Sequence, residues 1–353
     1  MKPMKISIEN ARLLGTQVLT AQGVPGDIAA DVAEHLVESD RCGYTSHGLS
    51  ILPTYRQSMQ AGHLHAEARA TCIADRGGLL MYDGHGGFGQ HVGKTVLQAG
   101  IERVKQTGHC ILTIRRSHHL GRMGYYGEMA AAAGYVLLSF TNVINRPPVV
   151  APFGGRVARL TTNPVCFAGP MPNGRPPLVA DVATSAVAFN KARVAAAKGE
   201  PLPEGSIIDA NGRPTTDASV MFADPPGAIL PFGAHKGYAL GLVAELLAGV
   251  LSGGGTVKPD APRDGRPVNN MFAVLIDPGL EFGLEWEKTE VENFLTYLHD
   301  TPPAPGFSRV QYPGEYEAHN RTRNATHLEL DPAIWNALAE LAQSLGVEVP
   351  GQV

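Results

Sequence analysis

The sequence predicts an α/β (α+β) protein whose sheet is mixed and whose two ends are helical, and three observations carry that prediction. Strand-like and helix-like segments alternate from Leu79 to about Asn142. An Asn173-Gly174 pair between two apolar stretches is a strong hairpin signal and requires antiparallel pairing. Helix-period patterns open and close the chain.

From Ser7 to about Asp40 the spacing predicts two helices, the first closed by Gly23 and the second opened by Pro25 and Asp27, with Ile28, Val32 and Leu36 on one face. The α/β part begins with the strand LLMYD at Leu79. A helix through Val92, Val96 and Ile101 follows, ending at Gly108. CILTI, a helix ending at Gly134 and YVLLSFTN continue the alternation. After a turn region around Pro147, Pro148 and Gly154, RLTTNPVCFAGP and PLVADVA form the hairpin arms. A helix from about His235 to Leu251 reads as buried, because its apolar run is broken only by Glu245 and is well short of the ~20 residues that span a bilayer. A strand MFAVLID, an amphipathic helix near Val291 to Leu298 and a last helix from about Pro332 to Leu345 complete the order. GTVKPDAPRDGRPVNN is the most loop-like stretch and reads as a mobile surface segment able to cover a site.

The 353 residues, 44% hydrophobic and 18% charged, suffice for a substantial core. A net charge of -4 offers no basic stripe for a phosphate backbone or an anionic membrane, so neither nucleic acid nor membrane is an expected partner. Cys42, Cys72, Cys110 and Cys166 form no CxxC pair, and the N-terminal stretch meets charge too soon for an export signal, so a cytoplasmic protein with reduced thiols is expected. Forty-one Gly and 27 Pro point to many tight turns, with the site built on loops.

Gly84, Gly86 and Gly89 form a G-x-G-x-x-G between a strand and a helix, the local context of a Rossmann dinucleotide site. The acidic residue that such a site wants at the end of the next strand is replaced by Arg115 and Arg116, which only an NADP site would tolerate. The helical layer ahead of the motif and the hairpin at Asn173-Gly174 argue against a doubly wound sheet, and a Rossmann fold is not predicted.

Four groups carry chemistry. Ser46 and His47 stand together before Gly48 in a polar, Gly-rich stretch; without a G-x-S-x-G elbow, an acid/base His47 supported by a hydroxyl fits better than a nucleophilic serine. His118 and His119 lie between a strand and a helix, where either imidazole can exchange a proton with an alkoxide near neutral pH. Thr162, Asn163, Asp181, Thr184 and Ser185 fall at strand ends, placed for ribose and amide recognition or as ordinary helix caps. Lys236 between His235 and Gly237 opens a helix, a natural anion site. A metal held by His63, His65, His118 and His119 lacks a carboxylate or cysteine at helix spacing and is not expected.

In this order D-x2-G-x-x-SHG-x6-Y, S-x-H-x-G, TNP, D-x-ATS and KGY resemble the blocks of the type-2 malate/L-lactate dehydrogenase family from about residue 7 to 345. The wording SHGLSILPTY, SHHLGRMGYY and GAHKGYAL is most similar to the hydroxycarboxylate dehydrogenase B branch. The resemblance implies a helical domain formed from both chain ends and a largely antiparallel α/β domain that binds NADPH or NADH without a Rossmann motif. It implies three parts, 1–75, 76–284 and 285–353, a homodimer, and reduction of a 2-oxo acid to a 2-hydroxy acid. A catalytically silent dinucleotide-binding protein is the reading from another class, and the set Ser46, His47, His119 and Lys236 argues against it.

By the same resemblance Ser46, His47 and His119 are acid/base residues, with the choice between the two histidines open. Tyr55, Thr162 and Asn163 face substrate. Asn142, Asp181, Val182, Ala183, Thr184, His235, Lys236 and Gly237 contact cofactor. An arginine that grips the substrate carboxylate in many members is replaced here by Ile51, which leaves that task to Arg122 or Lys236 and room for a bulky or aromatic acid. Lys191 stands where imine-reducing members carry an aspartate, which disfavours cyclic imine reduction. Arg115, Arg116, Arg321 and Arg323 are candidates to meet a 2′-phosphate and tilt the expectation toward NADP.

Overall fold

The computed structural model describes residues 3–260, 263–279 and 284–351. Ser7 caps the first helix by accepting the Asn10 amide at 3.1 Å, one of the donors that a helix start leaves without a partner. Strand β1 (Met4–Ser7) runs into α1 (Ile8–Thr20), and α2 (Gly26–Arg41) packs on it. Two turns of 3₁₀-helix, Thr45–His47 and Leu49–Ile51, lead into α3 (Leu52–Gln60).

Strands β2 (Thr71–Arg76) and β3 (Leu79–Asp83), helix α4 (Gly89–Thr107), strand β4 (His109–Ser117), helix α5 (Met123–Ala132) and strand β5 (Val136–Ile144) follow. The predicted hairpin is β6 (Val165–Gly169) and β7 (Leu178–Val182), with Asn173 and Gly174 both at positive φ (57° and 67°) in its turn. Helix α6 (Phe189–Lys198) precedes a small sheet of β8 (Ile207–Ile208), β9 (Pro214–Thr215) and β10 (Ala228–Ile229). Then come α7 (His235–Leu246), β11 (Val268–Ile276), α8 (Leu284–His299), α9 (Glu315–Arg323), β12 (His327–Leu330) and α10 (Pro332–Ser344).

The main sheet has the order β2-β3-β4-β11-β5-β6-β7. Among its strand pairs only β3 with β4 is parallel. The sheet is therefore mixed and largely antiparallel, as expected. One apolar cluster joins α1, α2 and α3 to β12 and α10, and β1 pairs antiparallel with β12, so both chain ends share a core. Ile28, Val32 and Leu36 are fully buried in it, each contributing about 1.5–3 kcal/mol by burial. A second cluster packs α4 and α5 on the sheet.

One expectation holds and one changes. The G-x-G-x-x-G opens a parallel β-α-β unit, β3-α4-β4, but the sheet around it is not doubly wound. A Cβ on Gly89 would lie 2.2 Å from the His119 carbonyl oxygen, so this glycine admits the chain at His119 and Leu120 rather than a pyrophosphate. Helix α7 is buried on one face only. Gly237, Gly241, Ala244 and Glu245 face inward, while Leu242, Val243 and Leu246 are exposed, as are Val250 and Leu251 in the π-helical turn Leu247–Leu251 that follows. Small residues at helix spacing let α7 approach the sheet and leave its larger apolar residues outside. In the loop before β11, Ala261 and Pro262 lie outside the described residues. No helix among the described residues is long and apolar enough to cross a membrane.

Candidate active site

The C-terminal ends of β3, β4, β5 and β7 and the N-terminal ends of β6 and β11 meet along one edge of the sheet, as the strand registers require. That edge carries Ser117-His118-His119, Thr162-Asn163 and Ala183-Thr184-Ser185. Tyr55, from the helical layer, touches it.

The turn that carries Ser46 and His47 is held from below by Asp40 on α2. Its carboxyl accepts the Leu49 amide at 2.8 Å, and burial raises this acid from 3.8 to about 7. A Cβ on Gly48 would sit 2.0 Å from the Asp40 carboxyl, so the close approach requires glycine. The Ser46 hydroxyl lies 3.0 Å from His47 Nδ1, and the His47 ring stacks on that of His119 with centroids 5.6 Å apart.

His119 belongs to a buried chain of hydrogen bonds. Gln90 Nε2 donates to the Tyr55 hydroxyl at 2.5 Å, and that hydroxyl lies 2.9 Å from His119 Nδ1. The Tyr55 oxygen can accept from Nδ1–H as well as from Gln90, and that tautomer leaves the Nε2 lone pair of the neutral His119 ring free to take a proton. Desolvation and then the charge of Arg122 lower His47 to about 4, and burial followed by His47 holds His119 well below its usual 6.5. Both imidazoles are neutral at pH 7.

The amides read as ligand contacts turn inward. Asn163, at φ 33°, accepts from Thr161 at 2.6 Å and donates to the Gly241 carbonyl and to Glu245 at 3.0 and 2.8 Å. Asn142 donates to Glu245 and to the Gly255 carbonyl, both at 3.1 Å, and accepts from Asn270. Glu245 therefore anchors both, a role that its position in an apolar run did not reveal.

Thr184 ties the two blocks together: its hydroxyl donates to the Thr162 and Asn163 carbonyls, and Gly237 packs on its own carbonyl. Asp181 accepts the Gly124 amide at 2.7 Å; Val182 is exposed and Ala183 half-buried beside it. His235 and Lys236 are exposed on the first turn of α7.

The arginines are placed as follows. Arg122 is buried, donates to Glu128 at 2.5 Å and lies over the Tyr44 ring, while its Nε and Nη1 have no partner. Its charge reaches His47 through the protein. Arg115 and Arg116 both converge on the buried Asp83, and Arg321 binds Glu38 and Glu128. Ile51 packs against the helical core, and Lys191 is exposed on α6. No group of three His, Cys, Asp or Glu side chains among the described residues is arranged to hold a metal.

A mixed sheet with neutral imidazoles on its edge, and with its β-α-β unit closed by the chain at His119, defines an acid-base site on a scaffold other than the Rossmann fold. The chain belongs to the malate/L-lactate dehydrogenase family, whose model matches residues 6–339. It is 71% identical over 347 residues to the L-lactate dehydrogenase of Cupriavidus necator, covering 98% of this chain and 99% of the relative. Hydroxycarboxylate dehydrogenase B of Escherichia coli is 38% identical over 319 residues, 90% of this chain and 87% of the relative. Among solved structures, sulfolactate dehydrogenase from Methanocaldococcus jannaschii superposes with a TM-score of 0.87 at 32% identity, covering 98% of each chain. Δ1-piperideine-2-carboxylate reductase from Pseudomonas syringae gives 0.83 at 29%, covering 96% of this chain and 99% of its own. The protein is thus an oxidoreductase of hydroxy acids that uses a pyridine nucleotide.

Proposed function

We propose that this enzyme interconverts a 2-oxo acid and its 2-hydroxy acid at the sheet edge, with His119 as the proton carrier and His47 as its neighbour. The observation that carries this reading is the Gln90-Tyr55-His119 chain, which holds one imidazole in a set orientation within a buried layer. The Ser46 partner of His47, by contrast, is exposed.

The cofactor residues fit a dinucleotide. A cleft of about 450 Å³, walled by glycine backbone at Gly154, Gly155, Gly212 and Gly233, adjoins Ala234 and the first turn of α7. The exposed Lys236 at the start of α7 suits a phosphate. His235, Lys236 and the Asp181-to-Thr184 segment would hold the cofactor, which supplies hydride exchange at C2. A neutral His119 takes the hydroxyl proton during oxidation. A bound carboxylate would raise its affinity for a proton and prepare it to donate during reduction. Arg122, neutralised by Glu128 behind Tyr44, acts on the site through its field. Either nucleotide is compatible with this site, because Asp83 engages Arg115 and Arg116 and takes away their preference for a 2′-phosphate. The exposed apolar face of α7 supports a homodimer.

Oxidation of NADH and NADPH against pyruvate, oxaloacetate, phenylpyruvate and Δ1-piperideine-2-carboxylate tests the assignment. Turnover of a 2-oxo acid supports it, with phenylpyruvate reporting what the uncharged Ile51 admits. Turnover of the cyclic imine alone overturns it in favour of the reductase reading, which the similarity to the piperideine-2-carboxylate enzyme supports.

A further inference from the structure

On the β3 and β4 side of His119 the sheet edge opens into a cleft of about 510 Å³ lined by His63, His65, His85, Arg116, His118 and Arg266, with Ser117 and Asn145 between them. None of the residues placed above in cofactor binding lines it. No carboxylate is among its lining residues, and the two nearby are already paired, the fully buried Asp83 with Arg115 and Arg116 and Asp264 with Arg266 at 3.4 Å.

Two independent observations mark this cleft as built for a ligand. His118, 2% exposed, has both ring nitrogens without a hydrogen-bond partner, and the buried Ser117 hydroxyl and Arg266 Nε are likewise unpartnered. Buried polar groups left unsatisfied each cost free energy, and a set of them around one opening implies a missing acceptor. The backbone agrees. His85, Arg116 and Asn145 hold φ of 50°, 54° and 64°, a region that Arg seldom adopts, and all three line the same opening.

The free Nε of Arg266, the unpartnered His118 ring and the Ser117 hydroxyl offer donors suited to negatively charged oxygen, while Arg116 is already held by Asp83. A metal would require three converging ligands, and none among the described residues converge so. We propose that this cleft is an anion subsite, in which Arg266, His118 and Ser117 receive a carboxylate, sulfonate or phosphate group of a ligand whose reacting end lies at His119. The placement of the reacting end rests on the function proposed above. The anionic group belongs either to the 2-oxo acid or to the dinucleotide, and the two sources separate by experiment.

Arg266→Gln in the full-length enzyme removes the charge while leaving the buried core intact, which urea unfolding of parent and variant checks. Calorimetric titration with sodium sulfate reads the subsite directly: the affinity is expected to fall about tenfold or more in the variant, the scale of a lost charge-assisted hydrogen bond. If the substrate supplies the anion, KM for oxaloacetate or pyruvate rises by a similar factor with kcat little changed. If the cofactor supplies it, the dissociation constant of NADPH or NADH, read by nucleotide fluorescence, rises instead. Sulfate binding equal in parent and variant overturns the subsite. A parent that turns over no 2-oxo acid overturns the proposed reaction, while the sulfate titration still decides the cleft.

Discussion

Asp40 is a buried acid with one hydrogen bond, and its two replacements separate its structural task from its charge. In the parent the folded-state value is about 7 against 3.8 for an ordinary aspartate. The raised value means that the folded state prefers the protonated form: the stabilising contribution is complete below 3.8 and is lost as pH rises through about 7. Between pH 5.5 and 8.5 the remaining loss spans about 1.5 pH units, from 5.5 to 7, or about 2 kcal/mol at roughly 1.4 kcal/mol per unit. Asp40→Asn keeps an oxygen for the Leu49 amide and cannot ionise. Urea unfolding of parent and Asn variant at the two pH values should therefore show the variant gaining about 2 kcal/mol on the parent at the higher pH. Asp40→Ala leaves the Leu49 amide unsatisfied at a cost of about 1–3 kcal/mol and releases the Ser46-His47 turn, so kcat falls in the Ala variant and is retained in the Asn variant. A stability difference between Asn variant and parent that is flat with pH, or equal activities of the Ala and Asn variants, would refute the reasoning.

Tyr55→Phe removes the hydroxyl between Gln90 and His119, and kcat should drop about tenfold or more with little change in cofactor affinity; an unchanged kcat would show that His119 does not need this support. Because His47 is lowered to about 4 and His119 lies well below 6.5, kcat/KM for oxidation of a 2-hydroxy acid should show no acid limb between pH 7 and 5. A limb centred near 6.5 would place an ordinary imidazole in the rate-determining protonation.

Much of this arrangement is legible in the sequence because it is local. The hairpin at Asn173-Gly174 and the capped helices follow from neighbouring residues, and Ser46, His47, Tyr55 and His119 stand in recognisable short blocks. What escaped is what the fold brings from far along the chain. Gln90 matters because α4 passes Tyr55 of α3, and Glu245 because α7 delivers it beneath Asn142 and Asn163. Neither has a periodic or motif signal of its own. Strands β8, β9 and β10 have two residues each, too short for a visible alternation. Arg115 and Arg116 suggested a 2′-phosphate site until Asp83, at the end of the adjacent strand, claimed both.

The central claim is that His119 carries the proton in 2-oxo acid reduction, and steady-state kinetics of His119→Gln beside His47→Gln tests it most directly. General acid-base catalysis contributes about 10²–10⁴-fold, so kcat/KM of the His119 variant should fall by that order while nucleotide binding stays within a few-fold of the parent. Activity of the His119 variant within a few-fold of the parent, with the loss falling on the His47 variant instead, would contradict the claim and move the proton to His47.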